Sequence, residues 1–286
     1  MKTTMLAAAV VSLVACRPAA TPSRLELQVI TGSAEGFLVN STLVTGARDA
    51  VLIDAAFTLA DARKIVDRVR GSGKNLTTVY VTHDHPDHYF GLVAIREAFP
   101  NARFVVLPGA LAAIERTWKA KVDQWKPIYK DAITAAPVRP SALEGNSITL
   151  EGQRLEIVGP VQGDDAENSY VWIPSLRVVV TGDIVYSGVY VWTAETDPAA
   201  RARWAATLDR IAALNPALVV PGHQQPAKGT TPASIAFTKE YLAAFDQSLA
   251  GATTPEQLQA RIKAKYPDLA LDIVLRIGSE AALARR

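Results

Sequence analysis

The sequence predicts an α+β protein built as a four-layer αββα sandwich with extra C-terminal helices. Three observations carry the prediction. The first half opens with consecutive short strands and passes to alternating helices and strands, the second half repeats that order, and the chain beyond Thr231 has helical spacing alone. Two similar halves imply two facing sheets, each covered by helices on its outer face so that both of its sides are buried.

Leu25–Ile30 and Phe37–Thr45 are rich in branched residues, with Gly32 and Gly36 between them, and Ala50–Ile53 follows the Gly46–Asp49 turn. These read as antiparallel strands. Thr58 stands as a helix cap with Asp61 three residues on, and Leu59, Ala62, Ile65, Val66 and Val69 then share one helical face as far as Gly71. Thr77–Thr82 reads as a buried strand, Phe90–Phe99 as a helix stopped by Pro100, and Arg103–Leu107 as a strand. A longer helix spans about Ala110–Trp125, and Pro127 ends it before Tyr129; Trp118 and Trp125, two turns apart, form a core stripe or a flap.

In the second half Ser147–Leu150, Gln153–Val158, Ser169–Ile173 and Arg177–Thr181 are short strands separated by Gly or Pro turns. Asp197–Leu214 is helical and Ala217–Val220 a strand, and from Thr231 onward Pro232 and Pro255 open helices after Thr231 and Thr254. The expected organisation is a signal segment 1–15, a tether 16–24, a catalytic-type domain 25–230 and a helical extension 231–286.

Composition narrows the function. The 286 residues are 49% hydrophobic and 20% charged, as in ordinary globular proteins. With 30 Lys+Arg against 28 Asp+Glu, and no basic stripe interleaved with aromatics, nucleic acid is not an expected partner. One cysteine rules out an internal disulfide framework and a cysteine-rich zinc ribbon, so metal chemistry has to use His, Asp or Glu. That cysteine follows Lys2 and the apolar run Leu6–Ala15, which is too short for a permanent membrane helix and suited to a secretory signal. The sequence Leu13-Val14-Ala15-Cys16 resembles a bacterial lipoprotein signal, which implies cleavage before Cys16, its acylation, and a membrane-anchored periplasmic or cell-envelope protein. An ordinary signal peptide cut nearby and an uncleaved apolar N-terminus are the alternatives.

Three of the 4 histidines fall in His83-Asp84-His85-Pro86-Asp87-His88, directly after a predicted strand. His83 and His85, two apart, project to one side, while Asp87 and His88 belong to the turn that enters the next helix. One loop thus offers four groups, His83, His85, Asp87 and His88, suited to zinc and similar divalent ions. Asp84, turned the other way, is expected to brace the loop.

This run resembles the His-x-His-x-Asp-His motif of the metallo-β-lactamase superfamily, a resemblance that extends over roughly residues 25–225. It implies further ligands downstream: Asp183 of Thr181-Gly182-Asp183 as a carboxylate bridging two metals, and His223 of Pro221-Gly222-His223 as the last histidine. Where the family has Gly-His-Thr, this chain has Gly163-Asp164-Asp165, which puts Asp164 in the place of the absent histidine; the alternative is a turn residue, with Asp165 or a water filling the gap. The expected ligand sets are His83, His85 and Asp164 for one ion, Asp87, His88 and His223 for the other, with Asp183 between them.

The resemblance implies a hydrolase, with two zinc ions and a metal-bound hydroxide acting on a small lactone, ester, thioester or β-lactam, and Asp87 as the residue that holds and moves a proton. The extra carboxylate widens tolerance for iron or manganese. Two alternatives stand beside it: a mononuclear non-heme iron oxidoreductase on the same fold, and a non-catalytic metal-binding relative. A Ser-His-Asp triad has little support, since no Gly-x-Ser-x-Gly elbow occurs and every histidine is assigned. Tyr89, Tyr186, Tyr190 and Trp192 flank the motifs and either rim the substrate site or pack against the fold.

Overall fold

The computed structural model describes residues 24–285. The signal segment 1–15, Cys16 and the tether up to Ser23 lie outside the described residues. Strands β1 (Glu26–Thr31), β2 (Asn40–Thr45) and β3 (Asp49–Ile53) form an antiparallel meander. The helix α1 (Leu59–Gly71) then reverses the chain, so β4 (Asn75–Val81) joins in parallel, as do β5 (Arg103–Val106) and β6 (Ser141–Ala142). A cap fixes where α1 starts: Thr58 Oγ1 accepts from the Asp61 amide at 3.1 Å, a contact of about 0.5–2 kcal/mol. Helices α2 (Pro86–Tyr89), α3 (Leu92–Ala98) and α4 (Pro108–Tyr129) complete this half.

The second sheet has an antiparallel run of β7 (Ser147–Leu150), β8 (Gln153–Val161), β9 (Asn168–Ile173) and β10 (Val178–Val180). After the short strand β11 (Tyr186–Ser187) and helix α5 (Pro198–Ala213), β12 (Leu218–Val220) pairs in parallel with β10. β11 pairs with β13 (His223–Gln224). Helices α6 (Ala233–Ala250), α7 (Pro255–Lys265) and α8 (Asp272–Ala284) follow. Among the described residues no helix is long and apolar enough to cross a membrane.

The αββα layering follows from strand alternation. On β3, Val51 and Ile53 point inward with Tyr80 and Val105 to meet Leu155, Ile157, Val171 and Val180 of the other sheet. Their neighbours Ala50 and Leu52 point outward, under Ile65 and Val69 of α1, Ile95 of α3 and Ile114 of α4. The second sheet turns Tyr170, Val179 and Val219 outward against Trp204 and Leu208 of α5 and Phe245 of α6. Each such buried aliphatic side chain contributes about 1.5–3 kcal/mol relative to exposure.

Two local expectations are corrected. The strand read as Phe37–Thr45 starts at Asn40, because Phe37 and Leu38 take left-handed backbone (φ 59° and 55°) in the turn that brings the Phe37 carbonyl to the site. Pro127 does not end α4, which runs on to Tyr129 and stops where Lys130 turns to φ 46°. In the last turn a proline forfeits only the bond to the Asp123 carbonyl, while Trp125 and Tyr129 stay packed on Phe37 and Phe57.

Topology gathers the chemistry at one end of the sandwich. β3 and β4 run in parallel and end there at Asp54 and at the His83 loop. β10 and β12, also parallel, end there at Asp183 and His223, and β9, antiparallel to β10, starts there, just after Asp164.

Candidate metal centre

Seven side chains meet at this end in two buried groups: His83, His85, Asp164 and Asp183, and Asp87, His88 and His223. Within each group the ligand-type atoms lie within 4.8 Å of one another. Asp183 reaches both: its Oδ2 is 3.7 Å from His83 Nε2, 3.8 Å from His85 Nδ1 and 3.1 Å from His223 Nε2, while Oδ1 is 3.0 Å from His88 Nε2. Asp164 Oδ2 lies 3.1 Å from His85 Nδ1, and Asp87 Oδ2 lies 3.4 Å from His223 Nε2.

Each imidazole has its other nitrogen held from behind. His88 Nδ1 bonds Asp54 Oδ2 at 2.8 Å, His223 Nδ1 bonds the Phe37 carbonyl at 2.6 Å, and His85 Nε2 bonds Glu195 Oε1 at 3.0 Å. His83 Nδ1 lies 3.0 Å from Thr82 Oγ1, whose hydroxyl donates to Asp54 Oδ2 at 2.9 Å and is thereby left to accept from the imidazole. Asp54, itself at φ 61°, therefore sets two histidines at once. The arrangement leaves the other nitrogen of each ring facing inward.

A metal fits this donor set. His83 Nε2, His88 Nε2 and Asp183 Oδ1 are buried without a hydrogen-bond partner, although unpaired buried polar atoms are costly. Nitrogen and carboxylate oxygen donors aimed at common points match divalent-ion chemistry.

The electrostatics show the same mutual dependence. Burial alone would lower the His85 and His88 pKa values, but Asp164 and Glu195 for the first, and Asp183 and Asp54 for the second, hold them well above the usual histidine range. His223 is raised against its burial by Asp183 and Asp87. Burial opposes ionisation of Asp183, yet His223 and His88 hold it well below the carboxylate range. Asp164 is raised by burial and by Asp183. Tyr186, pushed far up by burial and both carboxylates, keeps its proton and lies 3.2 Å from Asp164 Oδ2 and 3.0 Å from Asp183 Oδ2 as a donor. Its ring stacks on His223 at 5.3 Å.

A cavity with about 670 Å³ of empty space, its open mouth included, lies over the centre and is bordered by His85, Asp87, Asp183 and His223. Tyr186, Tyr190 and Trp192 line it, as the sequence suggests for rim residues. Tyr89 does not. On α2 each residue turns about 100°, so Tyr89 faces away from Asp87 and is buried in the first core beside Phe90. Asp84 also turns outward, to Lys121 Nζ at 2.7 Å.

Asp54, Glu195 and Lys121 are the residues that sequence reasoning misses. Asp54 is a lone carboxylate after a strand, and Glu195 lies 110 residues from His85. Glu195 and Asp165 form a further group with the outer face of His85. The loop that carries Glu195 is clamped by buried Arg201, which donates to the Thr196 carbonyl at 2.6 Å, and by Arg285, which donates to the carbonyls of Thr193, Ala194 and Thr196.

The sequence model of the metallo-beta-lactamase superfamily matches residues 34–223, a span that contains both groups. A curated relative, the metallo-beta-lactamase type 2 of Bacillus sp. (strain 170), is 22% identical over 187 residues, covering 64% of this chain and 66% of that protein, just under two thirds of its length. Among solved structures, a metallo-beta-lactamase family protein from Thermus thermophilus is similar with TM-score 0.61 and 22% identity, over 90% of this chain and 93% of that one. A metallo-beta-lactamase from Pontibacter korlensis is similar with TM-score 0.58 and 18% identity, over 77% and 99%. At these identities the structural likeness establishes the αββα fold, and the superfamily match covers well over half of the sequence. On that evidence the chain belongs to the metallo-beta-lactamase superfamily.

Proposed function

We propose that this protein is a zinc-dependent hydrolase that opens the carbonyl of a small ester, thioester, lactone or β-lactam. The observation that carries the reading is the position of Asp183 within 3.8 Å of His83 and His85 on one side and within 3.1 Å of His88 and His223 on the other. A carboxylate so placed suits a bridge between two ions. In this reading His83, His85 and Asp164 hold one ion and Asp87, His88 and His223 the other. When bound, such a pair supplies an acidified water and a polarised carbonyl.

The protein's own groups do the rest. Asp87, in the cavity lining, takes a proton from the attacking water and returns one to the leaving group. Asp54, Thr82, Glu195 and the Phe37 carbonyl fix the ring orientations, and Tyr186 holds Asp164 and Asp183 together. Three carboxylates, Asp87, Asp164 and Asp183, offset most of the charge of two divalent ions in a buried site.

The test is metal identity and stoichiometry by mass spectrometry on protein purified without added metal or chelator, followed by hydrolysis of an ester and lactone panel. Two zinc ions per chain and chelator-sensitive turnover are expected. A second reading rests on the two histidines and one carboxylate of His83, His85 and Asp164, a facial set suited to iron. About one iron per chain with oxygen consumption would favour it, and absent metal with stability unchanged by chelator would favour a non-catalytic relative.

We further propose that the chain is exported and held in the cell envelope through acylated Cys16, which the Leu6–Ala15 run and Leu13-Val14-Ala15-Cys16 support. Cys16→Ser should move the protein from the membrane to the soluble fraction; unchanged membrane association would refute the anchor.

A further inference from the structure

We infer that the cavity selects an uncharged acyl compound carrying an apolar group and turns away one whose tail carries a carboxylate. The inference rests on the hydrolase reading of the centre beneath. One wall is aromatic, from Phe37, Trp125, Tyr190 and Trp192. The lining is completed by aliphatic Leu271, Ile273, Val274 and Ile277 at the start of α8, which lies outside the superfamily match and is supplied by the C-terminal helices. Side chains of this kind stabilise a ligand by removing apolar surface from water and give nothing to a charge.

The polar groups of the lining decide the sign. Lys121 is the one lysine or arginine of the lining, and its ammonium is already engaged by the Asp84 carbonyl at 2.6 Å and the Asp84 carboxylate at 2.7 Å. Glu195 stands half-exposed at the mouth, where it presents a carboxylate. Arg201 and Arg285 are turned to backbone carbonyls behind the Glu195 loop. A carboxylate entering the apolar part of the lining therefore loses its hydration, finds no free lysine or arginine and meets Glu195. Common β-lactams, which carry a carboxylate, fall on the disfavoured side of this selection.

The test uses two matched pairs that differ only in a terminal carboxylate. Binding of N-(4-nitrophenyl)hexanamide and of adipic acid mono(4-nitroanilide) to the metal-stripped protein is read by quenching of Trp125 and Trp192. Hydrolysis of 4-nitrophenyl hexanoate and of mono(4-nitrophenyl) adipate is read on the zinc-loaded protein. The neutral amide should bind at least tenfold tighter, and Ile277→Lys, which adds a cation to the aliphatic wall, should erase that ratio; Val274→Arg is the second variant should the first fail to fold. Equal or tighter binding of the carboxylate compound by the unaltered protein, no quenching by either compound, or a ratio unmoved in a folded variant would overturn the inference. A preference for the neutral amide without hydrolysis of either ester would uphold the cavity assignment and remove the hydrolase reading alone.

Discussion

His88 Nε2 and Asp183 Oδ1 stand 3.0 Å apart in the protein interior, and the geometry between them is not that of a hydrogen bond. Two donor atoms of the kind that ligate metals, neither with a hydrogen-bond partner, face a point that neither fills. Their arrangement is intelligible as two corners of a coordination shell, and the remaining corners come from segments as distant as Asp87 and His223.

Replacement of Asp54 should therefore be felt at the metal rather than in the fold. Asp54→Asn leaves the shape but weakens the acceptor that sets His88 directly and His83 through Thr82. A loss of about 10–100-fold in metal affinity is expected, measured by competition with a chromogenic chelator, with the circular dichroism spectrum unchanged.

Gly222→Ala should disable the centre sterically. A Cβ there would sit 2.2 Å from Asp183 Oδ1 and 2.6 Å from the Gly182 carbonyl, so the shared carboxylate has to move. The expected outcome is lower metal content together with a loss of about 1–3 kcal/mol of stability in chemical denaturation.

Asp164→Ala removes the carboxylate 3.1 Å from His85 Nδ1. Metal content should drop by up to one ion per chain with the Asp87, His88 and His223 group still loaded, and Asp164→His should restore it. Unchanged content in the Ala variant would make Asp164 a turn residue.

The metal-stripped protein should lose stability as pH rises. Folded His85, His88 and His223 hold their protons above the ordinary value of 6.5, and Asp165 is pushed up to about 7 by burial and by Asp164. For such raised groups the folded state favours the protonated form, so their contribution is complete below the unfolded pKa and disappears as pH passes the folded one. Asp183, held low, acts with the opposite sign but only in the acid range below 3.8. The Tm of the stripped protein should fall as pH rises past the ordinary histidine value of 6.5, and added zinc should restore it with release of protons.

The centre was legible in the sequence to the extent that its residues are neighbours. His83, His85, Asp87 and His88 share one loop, where residue type and spacing speak together, whereas Asp164, Asp183 and His223 were found through the resemblance and meet that loop only because strand ends converge. Glu195, Lys121 and the wall from Leu271 to Ile277 carried no local signal, since nothing but tertiary packing brings them to His85. Phe37 misled for a related reason. An apolar run reads as strand, yet here it forms a left-handed turn stabilised by aromatic packing and by its carbonyl's bond to His223.

The placement of Arg285 and of the Leu271–Ile277 wall also orders the birth of the site in time. All seven candidate ligands lie at or before His223, while the wall and the clamp on the Glu195 loop come from later residues. A chain that emerges N-terminus first therefore owns its full set of metal donors before it owns the surface that screens what reaches them.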